Sequence, residues 1–446
     1  MSKYYTFFDS PSQYNDPTKY YSQGSSPELL KQLLSYLKSI ESEITSIQIC
    51  SYLFNNEILY KELCRYADKG VKVQVITIPI DGYDDRSPQY IVDITSKKLV
   101  YNESQTKYSL ARKIFGELYK NKIKNFDLFF FPHMFIRSEN VNPFSRGDMP
   151  YSLHLKSLFI KQKNKVNTTV LTSSGLAVRD RIKEEVLIIC EDDDLINIPT
   201  EIFFNDLLSN SILITEFDFK ADYTRYQIKI RTDPSNDNNI LLSPFYENSP
   251  ELMEEKLKQM VFGAKKRVYI AAQHISAFKY QIPKQFKFGG DQTGSISKYG
   301  FLNELLTNTV NTCKIKCISQ TYVNSNGDNM GARKPANTTS FKEFMLKYES
   351  HPSAEYSSNS NLHSKYIICD DTVIITSCNF TPTQFIYLKY VNIPRFRRIT
   401  GLSYEGIFSE VGQFLIIKDE SVTKAFLENF NYLWNSKNTH IHVSHF

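Results

Sequence analysis

His363-Ser364-Lys365-Tyr366-Ile367-Ile368-Cys369-Asp370, followed by Thr376-Ser377-Cys378-Asn379, is the stretch whose reading decides the fold. His and Lys stand two apart, so on an extended strand both side chains leave the same face. Working outward, a near copy lies in the other half of the chain: His154-Leu155-Lys156, running into the apolar Ser157-Leu158-Phe159-Ile160. The two copies together supply two imidazoles and two ammonium groups. One imidazole can attack phosphorus, the other can protonate the departing oxygen, and the ammonium groups can hold the remaining phosphoryl oxygens. The set points to phosphodiester chemistry built from an internal repeat.

The repeat extends around both triplets. In the first half the apolar spacing predicts a helix over Pro27–Ile40, a strand over Ser46–Phe54, a helix over Glu57–Lys69 stopped by Gly70, and a strand over Val71–Thr77. In the second half it predicts helices over Pro250–Phe262 and Phe301–Thr312, with strands over Arg267–Gln273 and Lys314–Ser319. Each triplet then opens a strand pair: Lys156–Ile160 with Thr169–Thr172, and Lys365–Cys369 with Val373–Thr376. A strand headed by a carboxylate follows in each half, Glu185–Cys190 and Glu410–Ile417, and the last helix spans Ser421–Trp434. Strands alternating with helices imply an α/β fold with a largely parallel sheet in each half. The polar segment Asp222–Asn239 reads as the boundary, giving halves over residues 1–225 and 240–446.

The insertions differ between the halves. Asp81–Pro150 holds a helical stretch, Tyr101–Lys122, and an aromatic run, Phe126–Phe131. Ser276–Tyr299 carries Lys284 and Lys287 among glycines and aromatics, and Asn324–Thr339 is rich in Gly and Asn. Tyr387–Arg398 interleaves aromatics with Lys389, Arg395, Arg397 and Arg398, a pattern suited to tracking a phosphate backbone or, as plainly, to a solvated basic face.

Composition excludes more than it selects. A chain of 446 residues exceeds one small core, and no uninterrupted apolar run approaches the roughly 18 residues of a membrane-spanning helix. Met1–Gln23 lacks the apolar centre of a signal peptide. Seven scattered cysteines without a CxxC pair suit a reducing cytoplasm. A net charge of +5 fits a polyanionic substrate without demanding one. No cluster of Asp, Glu and His has metal-ligand spacing, so no metal and no cofactor is implied. His133 and His274 read as structural histidines, and His440, His442 and His445 form a tail with no supporting ligands.

His363-x-Lys365, four residues, Asp370, then Ser377-x-Asn379 resembles the signature motif of the phospholipase D superfamily. His154-x-Lys156 resembles it with defects: Lys161 stands at the motif Asp, and Thr172-Ser173-Ser174-Gly175 lacks the motif Asn. The resemblance covers nearly the whole chain. It implies a duplicated phospholipase D-like fold, two mixed or parallel αβ halves packed as a pseudo-twofold dimer within one chain, so that no oligomer is required. In that superfamily the motif Asp is mainly structural, and tyrosyl-DNA phosphodiesterases, which the first copy partly resembles, work without it.

The resemblance further implies a phosphohistidine intermediate, with the N-terminal His154 as nucleophile and His363 as acid and base. Lys156, Lys365, Ser377 and Asn379 would hold the phosphoryl oxygens, with Ser173 or Ser174 standing in for the missing amide. Glu185 and Glu410 would orient the imidazoles. Three functions compete: a nuclease or nucleic-acid end-processing enzyme, favoured by the basic segments; a phospholipid phosphodiesterase or phosphatidyl transferase; and a catalytically inert phosphate-binding member, which the degenerate first copy keeps in view.

Overall fold

The computed structural model describes residues 2–10, 27–84, 90–92, 99–101, 106–132, 153–164, 166–177, 183–219, 239–243, 249–273, 275, 300–310, 312–320, 351, 353–359, 361–380, 388–392, 405–407, 410–436 and 439–441. The first half runs β1 (Lys3–Asp9), α1 (Pro27–Ser39), β2 (Ile44–Ser51), α2 (Glu57–Asp68), β3 (Lys72–Thr77), the hairpin β4 (Tyr90–Val92) and β5 (Leu99–Tyr101), α3 (Thr106–Asn121), β6 (Phe126–Phe130), β7 (Lys156–Gln162), β8 (Thr168–Thr172), β9 (Glu185–Glu191), α4 (Asp194–Ser209) and β10 (Ile212–Leu213). The second runs β11 (Ile240–Ser243), α5 (Ser249–Phe262), β12 (Arg267–Ala272), α6 (Gly300–Asn308), β13 (Lys314–Ser319), β14 (Ala354–Asn359), β15 (Lys365–Cys369), β16 (Thr372–Thr376), β17 (Leu388–Asn392), β18 (Glu405–Ile407), β19 (Gly412–Ile417), α7 (Glu420–Trp434) and β20 (Thr439–Ile441).

Two eight-stranded sheets result, in the orders β1-β9-β8-β7-β2-β3-β6-β10 and β11-β19-β16-β15-β12-β13-β14-β20. Position by position the orders match, which is the duplication expressed in topology. Both sheets are mixed rather than largely parallel. Parallel pairing joins β2 to β3 and β3 to β6 in one, β12 to β13 and β13 to β14 in the other. The remaining neighbours are antiparallel, as the short turns from β7 to β8 and from β15 to β16 require.

Local chemistry explains the element ends. Asn56 caps α2 by accepting from the amides of Ile58 and Leu59 at 3.0 and 3.2 Å, and Gly70 supplies the left-handed turn beyond it at φ +89°. Asp193 and Asp419 cap α4 and α7 in the same way. Ile47, Val73, Val75, Leu158, Phe159, Val268, Ile315, Ile367 and Ile374 are fully or almost fully buried, as strands covered on both faces should be.

Five expectations shift. Lys3–Asp9, in the segment read as lacking an apolar centre, is an edge strand that pairs with β9 from Lys3↔Glu191 to Asp9↔Glu185. The aromatic run Phe126–Phe130 is a strand beside β3, not part of a rim insertion. The helix expected from Tyr101 starts at Thr106, and that expected to Thr312 ends at Asn308. Glu410 precedes its strand instead of heading it, because Val411 bridges to Leu153 and the ladder begins at Gly412. The boundary expected within Asp222–Asn239 lies, but for Asn239, outside the described residues.

The halves interlock through their final helices. Helix α4 packs on β11 of the second half and α7 packs on β1 of the first. Phe426 of α7 is fully buried, edge-on to Phe8 at 5.0 Å and to Tyr366 at 4.8 Å. Gln413 of β19 donates to Thr200 of α4 at 3.0 Å. Asp370, at φ +51°, accepts from the backbone amides of Lys265, Lys266 and Arg267 at 2.9, 2.7 and 3.0 Å, tying the β15–β16 turn to the start of β12. Its counterpart Lys161 instead pairs with Glu201 of α4.

Candidate active site

Strands β7 and β15 carry the two triplets to the line where the sheets meet. Lys156 and Lys365 open their strands, opposite Ser51 of β2 and Ala272 of β12 respectively. The histidines lie just ahead, held by bridges that cross between halves: Leu153 with Val411, and Leu362 with Glu184. The amide of His363 donates to Glu184 O at 3.1 Å, and the Ser364 hydroxyl donates to the same carbonyl at 3.0 Å.

Each imidazole reaches a glutamate of the opposite half. His363 Nδ1 lies 2.9 Å from Glu185 Oε2, and His154 Nδ1 lies 3.5 Å from Glu410 Oε2. The acceptor is a carboxylate oxygen, so Nδ1 of His363 is the donor, and in the neutral ring Nε2 then carries the lone pair. The Ser173 hydroxyl donates to that same Oε2 at 2.6 Å and itself accepts from the amide of Val186 at 2.9 Å. Ser174 Oγ accepts from the amide of Leu176. Ser173, expected as a substitute phosphate donor, thus directs its hydrogen at Glu185.

The two carboxylates are not at equivalent positions. Thr172 pairs with Leu187 and Thr376 with Phe414, so the residue matching Glu185 is Gly412, two places beyond Glu410. Glu410 acts from outside the ladder, and its longer contact with His154 follows from that placement.

Both lysines are buried and aim at acceptors. Lys156 Nζ donates to His154 O at 2.9 Å and approaches Ser377 O at 3.5 Å. Lys365 Nζ donates to His363 O and to Gln273 Oε1 at 3.1 Å, and Gln273 in turn donates to Gln320 at 3.2 Å. Ser377 Oγ donates to His154 O at 3.3 Å, a second stitch between halves. Asn379 is half-buried, with its Oδ1 shielded from solvent and without a hydrogen-bond partner. Burial pushes the Cys378 thiol up to about 11, with Glu410 adding to the rise and Lys156 opposing it. The Cys50 thiol is likewise driven upward by burial, again against Lys156. Neither thiol competes with the imidazoles as a nucleophile.

His154, Lys156, His363, Ser377, Glu185 and Glu410 are therefore linked by contacts that cross between the halves, and Lys365 joins them through His363 O. Gln273 and Gln320 were not legible beforehand; their signal is their place immediately after β12 and β13, at the strand ends that face the triplets. Lys284, Lys287, Arg395, Arg397, Arg398, His133, His274, His442 and His445 lie outside the described residues. His440 sits in β20, opposite Ser358, as an ordinary strand residue.

No protein-family model and no curated protein sequence matches the chain. Among solved structures, the phosphatidylserine synthase of Haemophilus influenzae Rd KW20 superposes with a TM-score of 0.52 at 12% identity, covering 94% of this chain and 86% of its own. The polyphosphate kinase of Porphyromonas gingivalis gives 0.48 at 10% identity, covering 97% of this chain, which spans only 50% of that enzyme's length. Nuc, a phospholipase D family member from Salmonella typhimurium, covers 46% of this chain and 97% of its own at 17% identity, with a TM-score of 0.27. The chain thus has a duplicated, phospholipase D-like α/β fold within a single chain.

Proposed function

We propose that the protein is a metal-independent phosphodiesterase, a nuclease or nucleic-acid end-processing enzyme that works through a phosphohistidine. The observation that carries this reading is the crossed pairing His363–Glu185 and His154–Glu410 beside two buried lysines. A neutral imidazole with its Nδ1 hydrogen held by a carboxylate presents Nε2 as a nucleophile and stabilises the charge that develops on attack. The second imidazole protonates the leaving oxygen and then takes a proton from the attacking water. Lys156 and Lys365 neutralise the non-bridging oxygens in a site where burial strengthens that attraction. These four groups supply what a divalent ion would otherwise provide.

The nucleic-acid substrate rests on the basic segments with Lys284, Lys287, Arg395, Arg397 and Arg398 and on the net charge of +5. A phosphatidyl transferase or phospholipid phosphodiesterase is the second reading, and the fold shared with phosphatidylserine synthase favours it. A cytoplasmic setting suits the seven free thiols. The test is incubation with labelled single- and double-stranded DNA, RNA and phosphatidylcholine vesicles in EDTA. Cleavage of a nucleic acid supports the proposal, and turnover of lipid alone selects the second reading. Activity that EDTA abolishes and a divalent ion restores overturns the metal-free mechanism.

A further inference from the structure

We infer that His363, not His154, is the nucleophile, and that Ser173 is the positioning residue that makes it so by fixing Glu185. The inference rests on the phosphodiesterase reading and reverses the order that the family resemblance implies.

Three observations converge. The Glu185 contact to His363 is 2.9 Å, and that of Glu410 to His154 is 3.5 Å. The His363 side chain is 8% exposed against 24% for His154. Glu185 Oε2 has a second donor, the Ser173 hydroxyl at 2.6 Å, and the Val186 amide orients that hydroxyl. In the other half the equivalent hydroxyl, Ser377, donates to a backbone carbonyl instead. Ser173, Glu185 and His363 therefore form one continuous hydrogen-bonded chain.

The two roles make opposite demands. A nucleophile must present one lone pair along one line, so its ring has to be locked in tautomer and orientation. A group that protonates the leaving oxygen and later deprotonates water must be reached first by the leaving group and then by the entering water. His363 meets the first demand and the more exposed His154 the second. In the forward step Nε2 of His363 forms the N–P bond as the P–O bond to the leaving group breaks, and the leaving oxygen takes the proton of His154. Water then bonds to phosphorus, gives its proton to His154, and the N–P electron pair returns to His363.

Bis(4-nitrophenyl) phosphate separates the roles, because nitrophenolate leaves without a proton. In His154→Asn the first step should survive and the second stall. A stoichiometric burst of nitrophenolate should appear, with a phosphoryl adduct mapped to His363 by mass spectrometry after rapid quench. His363→Asn, or His363→Gln if the first variant fails to fold, should give neither burst nor adduct. In the His154→Asn background, Ser173→Ala should slow the burst roughly tenfold at unchanged half-saturating probe, and Ser173→Thr should restore it. An adduct on His154, a burst from both histidine variants, or from neither while the wild type turns over, overturns the assignment. A Ser173→Ala burst at the parent rate removes Ser173 from it. A folded wild type that releases no nitrophenolate overturns the phosphodiesterase reading itself, and the assignment falls with it.

Discussion

Glu185 Oε2 and His363 Nδ1 lie 2.9 Å apart although 178 positions separate them in the chain. The carboxylate belongs to β9 of the first sheet and the imidazole precedes β15 of the second. The mirror contact, Glu410 to His154, runs the other way across the same boundary. Neither half holds a complete imidazole–carboxylate pair among these four residues, so the site exists only when the two sheets are packed together.

Glu185→Gln should lower kcat/KM by roughly 10²-fold while leaving the thermal transition near that of wild type, because an amide holds the ring without stabilising the imidazolium. Glu410→Gln should cost less, since its contact is 0.6 Å longer, the difference between 3.5 and 2.9 Å. Steady-state kinetics on bis(4-nitrophenyl) phosphate checks both. Larger damage from the Glu410 variant would mean that the shorter contact is not the one that matters most.

Asp370→Asn should destabilise the fold by about 1–3 kcal/mol without touching the triplets. Burial works to raise the Asp370 carboxyl's pKa, and the three backbone amides of Lys265, Lys266 and Arg267 more than offset it, holding it below its ordinary value. A carboxyl whose pKa is lowered on folding contributes stability above its unfolded value and loses it as pH falls through the folded one. The gap between wild type and variant should thus be constant near neutrality and close below about pH 4. Urea melts across that range would expose the error if the gap widened in acid.

Phe426→Ala should cost about 3–5 kcal/mol, as truncation of a fully buried aromatic does. Its ring touches Phe8 of the first half and Tyr366 of the second, so a single transition should move to lower temperature. Calorimetry resolving two transitions, only one of them shifted, would show that α7 does not couple the halves.

Nucleic-acid affinity should fall steeply with salt as lysines and arginines displace condensed counterions. Removing the charges of Arg395, Arg397 and Arg398, or of Lys284 and Lys287, should weaken binding on all sequences alike. Each lost contact should flatten the salt slope by about one. Fluorescence anisotropy at several salt concentrations measures this, and a slope indifferent to all five substitutions would place the phosphate-tracking surface elsewhere.

Much of the fold was legible from residues 44–77 and 267–319, where period-2 apolar runs and helical leucines mark elements that end within a few residues of those observed. Lys3–Asp9 was not, because Tyr4-Tyr5 and Phe7-Phe8 stand as adjacent pairs that give no period-2 contrast between faces. Phe126–Phe130 was hidden because its aromatics fall on both faces, which blurs in sequence an alternation that burial shows clearly. The chemical residues were legible as types, since His-x-Lys twice and a Glu near each returning strand are visible in one dimension. That Gly412, not Glu410, is the register mate of Glu185 was not, because hydrogen-bond register is set by pairing across the sheet.

By itself the sequence determined the repeat, the paired His-x-Lys triplets and the α/β class, all of which are local patterns of spacing and periodicity. Only the tertiary structure decided that each imidazole is served by the other half's carboxylate. The same holds for the Ser173 hydroxyl, which turns to Glu185, and for the Gln273–Gln320 amides that line up behind Lys365. Those facts depend on how two separately patterned sheets dock. Docking is fixed by the shape of packed surfaces such as half-buried Phe8 and buried Tyr366 and Phe426, which no spacing along the chain encodes.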